Sequence, residues 1–284
     1  RFSSTNSPYQ GLQGLDPPHA ITFDGSAVYG IEKTGTSLRF HVGNGYRLPS
    51  LYERYGTFFS GFFNPPFVAL GDPELKPERS FGFDAGIEQK LIKSKLKLSA
   101  VYFYTKLLDT IGFGNVVRNI GSTPRPFGGY LNQKGGIARG VEFSADILPY
   151  KSSLIRANYT FTNSDQKEPQ VNGSGLIKTL GIPDHRFGLV INQNFARAWI
   201  NFDLEATSSY LAPIFSNSTF QTYVYRFRGN RRADLTAGYN IPLNGEKFQM
   251  RVFGTIENLF DFEYFENGFR TAGRSARIGA SFGF

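Results

Sequence analysis

The chain has 284 residues, of which 40% are hydrophobic and 16% aromatic, and its formal net charge is +8. The absence of cysteine excludes disulfide frameworks and thiol nucleophiles, and no run approaches the roughly 18 apolar residues of a helical membrane span. The positive charge leaves nucleic acid, an anionic membrane surface and an anionic ligand open as partners. The 32 glycines, 29 phenylalanines and 15 tyrosines favour a β-rich chain.

Residues 1–25 are rich in Ser, Asn, Gln, Gly and Pro, a composition that predicts a loop. From residue 26 onward, apolar and polar residues alternate with the two-residue period of a strand that has one apolar face. The alternating segments predict eleven strands, at 26–32, 36–46, 81–88, 96–104, 141–147, 155–162, 187–191, 198–207, 233–241, 248–257 and 274–284. We interpret 1–284 as a single all-β domain, with the loop at 1–25 and the strands in 26–284.

The connections between these strands alternate in length. Short turns are predicted near residues 34, 92, 151, 196 and 245, and long segments separate the hairpins. Strands of about ten residues tilted near 45° span on the order of 25 Å, the height of an outer-membrane apolar band. The pattern therefore predicts a transmembrane antiparallel β-barrel with short periplasmic turns and long extracellular loops.

A soluble β protein would also give alternating strands, so the polar face must separate the two interpretations. That face carries many charges of both signs, which suits a wide wet lumen crossed by ion pairs: Arg39, Asp84, Glu88, Glu142, Asp146, Arg156, Asp203, Glu205, Asp234, Arg251, Glu257 and Arg277. The soluble interpretation stays as a less favoured alternative.

The strand count is odd, whereas bacterial single-chain barrels have even strand numbers with both ends in the periplasm. If the last strand descends to the periplasm, the eleven strands leave the start of this chain outside the cell. We therefore expect further strands from upstream sequence, from another chain or from a swapped partner.

Five short blocks in order resemble those of the TonB-dependent outer-membrane receptors. They are GYRLPSLYE at 45–53, DPELKPERS at 72–80, GVEF at 140–143, ENLFD at 257–261 and GR at 273–274, followed by a terminal Phe. Their prolines and the Asn and Asp of ENLFD also have a plain structural reading, since these residues fix loop backbone. The blocks extend over nearly the whole chain from residue 26.

This resemblance implies the carboxyl half of a 22-stranded barrel, without the family's plug, its energy-coupling box or its first barrel half. It implies active import of a scarce ligand such as a ferric siderophore or cobalamin, driven by the TonB complex through the missing plug. It also implies a bacterial outer-membrane location with a periplasmic carboxyl terminus. The alternative is a passive pore or a surface-binding barrel without TonB coupling.

No catalytic constellation is present, so we predict neither an enzyme nor a cofactor or metal site. The segment QTYVYRFRGNRR at 221–232 interleaves aromatic and basic residues, a pattern typical of binding to an anionic, partly aromatic ligand. The candidate ligand-binding residues there are Tyr223, Tyr225, Arg226, Arg228 and Arg231. Contact with lipopolysaccharide phosphates and bracing of the loop are competing roles for these arginines, and nucleic acid is not favoured.

A second candidate region is the aromatic insert YGTFFSGFFNPPF at 55–67. Phe62 and Phe63 are predicted to line the ligand vestibule, although packing of the insert on itself is an equal alternative. The segment RTAGR at 270–274 is somewhat similar to cobalamin receptors, and the Tyr-Arg segment suits an acidic siderophore. The sequence leaves the ligand open.

Overall fold

The computed structural model describes residues 8–9, 20–62, 66–115, 119–120, 124–167, 176–219, 221–243, 248–266 and 269–283. Within these ranges, no helix is long and apolar enough to cross a membrane. In chain order the elements are β1 (Asp24–Ile31), β2 (Thr36–Arg47), α1 (Leu51–Tyr55), β3 (Thr57–Phe59), β4 (Phe67–Ala69), β5 (Glu78–Leu91), β6 (Leu96–Gly114), β7 (Gly129–Lys134), β8 (Ile137–Ile147), β9 (Ser153–Lys167), β10 (Leu176–Lys178), β11 (His185–Asn194), β12 (Ala198–Thr207), β13 (Tyr210–Ser216), β14 (Gln221–Phe227), β15 (Arg231–Leu243), β16 (Phe248–Glu257), β17 (Phe265–Glu266), β18 (Phe269–Arg270) and β19 (Ser275–Gly283).

Eleven long strands form one antiparallel wall in the order β1-β2-β5-β6-β8-β9-β11-β12-β15-β16-β19. Each long strand pairs with the next long strand along the chain, so the wall is a simple meander. The predicted count of eleven strands is confirmed. Short β7 and β10 extend the wall beside β6 and β9. The described strands do not close on themselves, because β1 and β19 lie at opposite edges. The wall is thus an open sheet within the described residues.

The alternation along the strands separates two faces of the wall. Large apolar side chains on one face are half exposed, as for Phe40 (46%), Phe143 (49%) and Phe282 (59%). Exposure of so many rings on one face is the arrangement of a sheet that is solvated by lipid on that side. We refer to this as the apolar face and to the opposite one as the polar face.

Several charges of the polar face form ion pairs along the wall. The Arg156 guanidinium lies 2.7 Å from Asp146, its cross-strand partner. Further pairs join neighbouring strands, with Arg186 to Glu205 at 2.8 Å and Arg277 to Glu257 at 2.9 Å. Asp234 pairs with Arg232 of its own strand at 2.8 Å. In the described residues, the ion pairs of the polar face thus lie within a strand or between adjacent strands, and they do not cross a lumen.

Glycines on the polar face make room for large rings on the neighbouring strand. A Cβ atom at Gly238 would lie 2.6 Å from the ring of Trp199, its cross-strand partner, and one at Gly279 would overlap the ring of Phe253, also a cross-strand partner. The rings therefore lie flat over the partner backbone, which covers the backbone and fixes the strand register.

Three regions differ from the sequence predictions. The insert 47–79 contains α1 and the β3–β4 hairpin, and 221–227, expected to be a loop, forms β14 paired with β13. The Tyr and Arg residues there alternate with a two-residue period, which is a strand pattern in itself. The first strand begins at Asp24, inside the predicted 1–25 loop. The predicted turn at 245 and the terminal Phe284 lie outside the described residues.

Candidate functional site

All long connections leave the wall at one end, the loop end, and the short turns lie at the other, the turn end. At the loop end the described segments form two groups. The packed loop assembly consists of Tyr9, α1, β3, β4 and residues 119–130 where described. The open loop assembly consists of the β13–β14 hairpin, residues 228–230 and the segment 258–274 where described. The packed loop assembly connects β2, β5, β6 and β8, and the open loop assembly connects β12, β15, β16 and β19. Two wall strands, β9 and β11, lie between these two groups of strands.

Tyr9 lies at the centre of the packed loop assembly and is 2% exposed. Its hydroxyl donates to the carbonyl of Gly56 at 2.7 Å and accepts from the N–H of Gly71 at 2.9 Å. Burial raises the pKa of Tyr9 to about 12. Its ring meets Tyr55 edge-on at 5.6 Å. Tyr9 therefore ties two loop segments together and is not free to contact a ligand.

Arg125 has a side chain only 1% exposed. Its guanidinium donates to the carbonyls of Leu70 at 2.7 Å and Tyr130 at 2.8 Å, and it lies 3.7 Å from the carboxylate of Asp72. The Leu70 carbonyl also accepts the N–H of Tyr130 at 2.8 Å, so Arg125 reinforces a contact that the two backbone segments already make. The basic side chain here is structural.

Helix α1 starts at a capping box. The N–H of Glu53 donates to the Ser50 hydroxyl at 3.2 Å, and the Glu53 carboxylate accepts the N–H of Ser50 at 2.6 Å. Arg47 binds the same carboxylate at 2.9 Å and, with the hydrogen bonds from Ser50, lowers the pKa of Glu53 to about 2. The GYRLPSLYE block thus encodes a capped helix that is clamped to the end of β2.

The aromatic insert packs partly on itself, which was one of the two sequence alternatives, and partly on the segment that carries Phe127. Phe59 meets Phe67 at 5.3 Å, and Phe58 meets Phe127 at 5.4 Å. Phe62 stays 97% exposed at the tip of this insert. Phe63 lies outside the described residues.

In the open loop assembly, Tyr223, Tyr225 and Arg226 lie on β14, which pairs with β13. The two tyrosine rings share one face of the hairpin at 6.4 Å and are 38% and 52% exposed. Arg226 is exposed on the other face. The structure therefore brings the predicted tyrosines together with both rings partly exposed.

Arg228 and Arg231 both reach the ring of Phe262, at 6.0 and 5.9 Å from its centre. The amide of Asn258 holds the Phe262 backbone in both directions, accepting its N–H at 3.0 Å and donating to its carbonyl at 3.1 Å. Asp261 accepts the N–H of Arg274 at 2.8 Å. The expectation that the Asn and Asp of ENLFD bond nearby backbone is confirmed. Asn258 fixes the backbone of Phe262, and the Phe262 ring in turn contacts Arg228 and Arg231.

A recess of about 620 Å³ opens beside this hairpin. The Arg186–Glu205 ion pair lies at one side, and Tyr210, Tyr264 and Phe265 line the others. The Tyr210 hydroxyl donates to the carbonyl of Phe265 at 2.8 Å, and burial raises the pKa of Tyr210. None of the described predicted site residues lines the recess.

The recess residues were missed because they come from separate strands and loops, so no local motif joins them. In the described part of the chain, no group of three His, Asp or Glu side chains is placed to hold a metal ion. A shallower groove of about 420 Å³ lies on the apolar face along β5, β6, β8, β9 and β11, floored by Ala100, Ala145 and Ala157. It is part of the lipid-type surface, and no candidate residue lies in it.

Residues 2–259 match the model of the family described as "TonB dependent receptor-like, beta-barrel". The chain is 27% identical over 264 residues to "Heme/hemopexin utilization protein C" of Haemophilus influenzae (strain 86-028NP), which covers 84% of the chain and 34% of that protein. Its fold matches the ferripyoverdine receptor of Pseudomonas aeruginosa, with 16% identity, a TM-score of 0.66, and 91% of this chain and 32% of that one covered. It also matches the siderophore receptor PirA of Acinetobacter baumannii, with 18% identity, a TM-score of 0.64, and 92% and 40% covered. The chain thus spans between about a third and two fifths of the length of these relatives.

Proposed function

This chain belongs to the TonB-dependent receptor family, whose β-barrel domain it matches, and we propose that it is part of an outer-membrane receptor that imports an iron compound with energy delivered by the TonB complex. The observation that carries the proposal is the open loop assembly, where exposed aromatic and basic side chains stand beside a recess at the loop end of a partial barrel. The names of the relatives, which include siderophore and haem proteins, support iron as the cargo.

The open edges of the wall support a larger barrel. Strands β1 and β19 have neighbours on one side only among the described strands, and edge strands cannot face lipid with their backbone groups unsatisfied. We propose that the remaining strands and the plug that contacts TonB lie outside this sequence. The loop end would then face the exterior, and the carboxyl terminus the periplasm.

The proposed ligand is an acidic, partly aromatic iron chelate, a ferric siderophore. Tyr223 and Tyr225 would stack on its aromatic groups, and Arg226 and Arg228 would pair with its negative charges. Arg228 and Arg231 both lie over Phe262, but Arg231 is the first residue of wall strand β15, so it is assigned a supporting role. The recess of about 620 Å³ is within the size range of small-molecule sites, about 300–1,000 Å³.

Phe62 and Phe63 are proposed as a second contact, made from the tip of the packed loop assembly on the other side of the vestibule. Phe62 is 97% exposed, so its ring is available for such a contact. Cobalamin stays as the second ligand to be tested, and a passive pore or a surface-binding barrel as the second type of function.

Uptake separates these functions. The receptor that contains this chain is expressed in a strain without its own receptors for the test compounds, and accumulation of radiolabelled ferric siderophores, haem iron and cobalamin is followed with and without functional TonB. We expect one iron compound to accumulate only when TonB is functional. Accumulation that is equal without TonB would establish a passive pore, and binding without accumulation a surface-binding barrel.

A further inference from the structure

Each of the four described turns at the turn end carries at least one exposed cation. The turns follow β1, β5, β8 and β11, and their cations are Lys33, Lys93, Lys95, Lys151 and Arg197. The side chains of these five residues make no hydrogen bond or ion pair with a described residue. We call them the turn-end cations.

The charge of these turns is positive. Glu32 is the one acidic residue that the four turns contain. Two acids of the adjoining wall are already paired, Glu88 with Lys97 at 2.9 Å and Asp146 with Arg156 at 2.7 Å. Five cations against one unpaired acid therefore leave the turns with an excess of positive charge.

Three of the turns also expose a large aliphatic or aromatic side chain. Ile92 is 68% exposed, Tyr150 is 73% exposed and Phe195 is 54% exposed. In each case a turn-end cation follows within two residues in the chain. Apolar side chains beside cations are typical of protein surfaces that lie on an anionic membrane interface.

Backbone hydrogen bonds close these turns. The N–H of Lys95 donates to the carbonyl of Ile92 at 3.1 Å, and the N–H of Ser153 donates to the carbonyl of Tyr150 at 3.2 Å. The backbone that carries the exposed side chains is therefore already ordered, so a partner that binds them does not have to order it.

The turn after β5 is also conformationally costly. Its residues Ile92, Lys93 and Ser94 all have left-handed backbone, with φ of 52°, 53° and 65°. Such backbone is unfavourable for a β-branched residue, and burial does not offset the cost because the Ile92 side chain is exposed. A costly conformation that presents Ile92 and Lys93 together indicates a contact made outside this chain.

The turns lie directly beyond the end of the apolar face. On β5, β6 and β8 that face ends in three residues aligned across the strands, Leu91, Leu96 and Ile147. Charged headgroups begin where the hydrocarbon of a bilayer ends. Side chains in the turns therefore lie at the level of the headgroups.

We propose that the turn-end cations bind the headgroups of an anionic phospholipid, of the phosphatidylglycerol type, in the inner leaflet of the outer membrane. Ile92, Tyr150 and Phe195 enter the interface beside them. Charge complementarity selects an anionic partner, and the exposed apolar side chains select a lipid over an acidic protein. The inference rests on the proposed outer-membrane location with the turn end facing the periplasm, and not on the identity of the imported compound.

The test measures which phospholipid binds to the receptor that contains this chain. Purified receptor is stripped of lipid in mild detergent and offered equal amounts of phosphatidylglycerol and phosphatidylethanolamine with the same acyl chains. Native mass spectrometry counts the bound molecules of each lipid. The proteins compared are wild type, Lys93→Gln/Lys151→Gln and the control Lys76→Gln/Arg274→Gln, which removes two exposed cations from loops at the loop end.

We expect wild type to prefer phosphatidylglycerol. At roughly fivefold per cation, the preference should fall about 10- to 30-fold in Lys93→Gln/Lys151→Gln and stay unchanged in the control. Equal binding of the two lipids by wild type would overturn the proposal, as would an equal fall in the control.

If Lys93→Gln/Lys151→Gln does not assemble, the preference of wild type is measured at increasing salt. Salt screens exposed charges, so a preference that does not weaken would overturn the proposal. An acidic protein that bound wild type and not the variant, while the lipid preference stayed equal, would also overturn it. Uptake assays on the same preparations report separately on transport, so a receptor that fails to import can still pass or fail this test.

Discussion

The packed and open loop assemblies have similar compositions but differ in the exposure of their side chains. Both are rich in aromatic and basic residues, yet Tyr9 in the first is 2% exposed and Tyr225 in the second is 52% exposed. The arginines differ in the same way. The guanidinium of Arg125 donates to two backbone carbonyls, whereas Arg226 makes no hydrogen bond or ion pair with any described residue.

The difference shows that aromatic and basic interleaving does not by itself indicate a ligand site. In the packed loop assembly, the guanidinium groups of Arg54 and Arg125 donate to backbone carbonyls, and rings pack on one another. In the open loop assembly, the backbone groups of β13 and β14 bond each other, so the side chains of β14 are not needed as partners for the backbone. Three substitutions test this contrast, in order of decreasing effect on stability.

Arg125→Met should have the largest effect. It removes the guanidinium that donates to the carbonyls of Leu70 and Tyr130 and pairs with Asp72, which we expect to destabilise the packed loop assembly by about 3 kcal/mol. Limited proteolysis of the folded receptor measures this as faster cleavage of the long loops. The matched control is Arg226→Met, the same replacement at an exposed arginine. Equal cleavage rates for the two variants would abolish the distinction between the assemblies.

Glu53→Gln should lower stability by an intermediate amount, about 1–2 kcal/mol at neutral pH. It removes the negative charge that pairs with Arg47 and accepts the N–H of Ser50. The pKa of Glu53 is lowered from 4.5 to about 2, so this stabilisation is complete above pH 4.5 and is lost as pH falls toward 2. Cleavage by an acid-active protease should differ between wild type and variant at pH 5 and converge near pH 2.

The control for this titration is Glu32→Gln, an exposed glutamate in the turn at the opposite end of the wall. It should leave the cleavage rate of the long loops unchanged at every pH. A difference between wild type and Glu53→Gln that persisted undiminished at pH 2 would contradict the assigned cause.

Arg226→Ala/Arg228→Ala should have the smallest effect on stability, within about 0.5 kcal/mol, because both side chains are exposed. The same variant should bind the imported compound at least about tenfold more weakly, since two charge-assisted contacts are removed. Titration of the receptor with each candidate compound measures the affinity. Unchanged affinity for every compound that binds would remove these residues from the proposed site.

Much of the wall follows from local sequence. Successive Cβ atoms of a strand point to opposite faces, so alternation alone was enough to predict eleven strands and to assign Phe143 and Asp146 to opposite faces. Backbone-fixing residues were equally local, as Asn258 and Asp261 show. The Ser50-x-x-Glu53 capping box was also present in the sequence, and a search for that spacing would have found α1.

Other features required the folded chain. Tyr9 meets Gly56 and Gly71 across long stretches of sequence, and the recess combines Arg186, Tyr210 and Phe265 from separate elements. Alternation states which face a residue occupies and not which residue lies opposite, so only strand register decides which charges are paired. For that reason the sequence determined the strands and their faces, whereas the tertiary structure decided which aromatic and basic segment is packed and which is open.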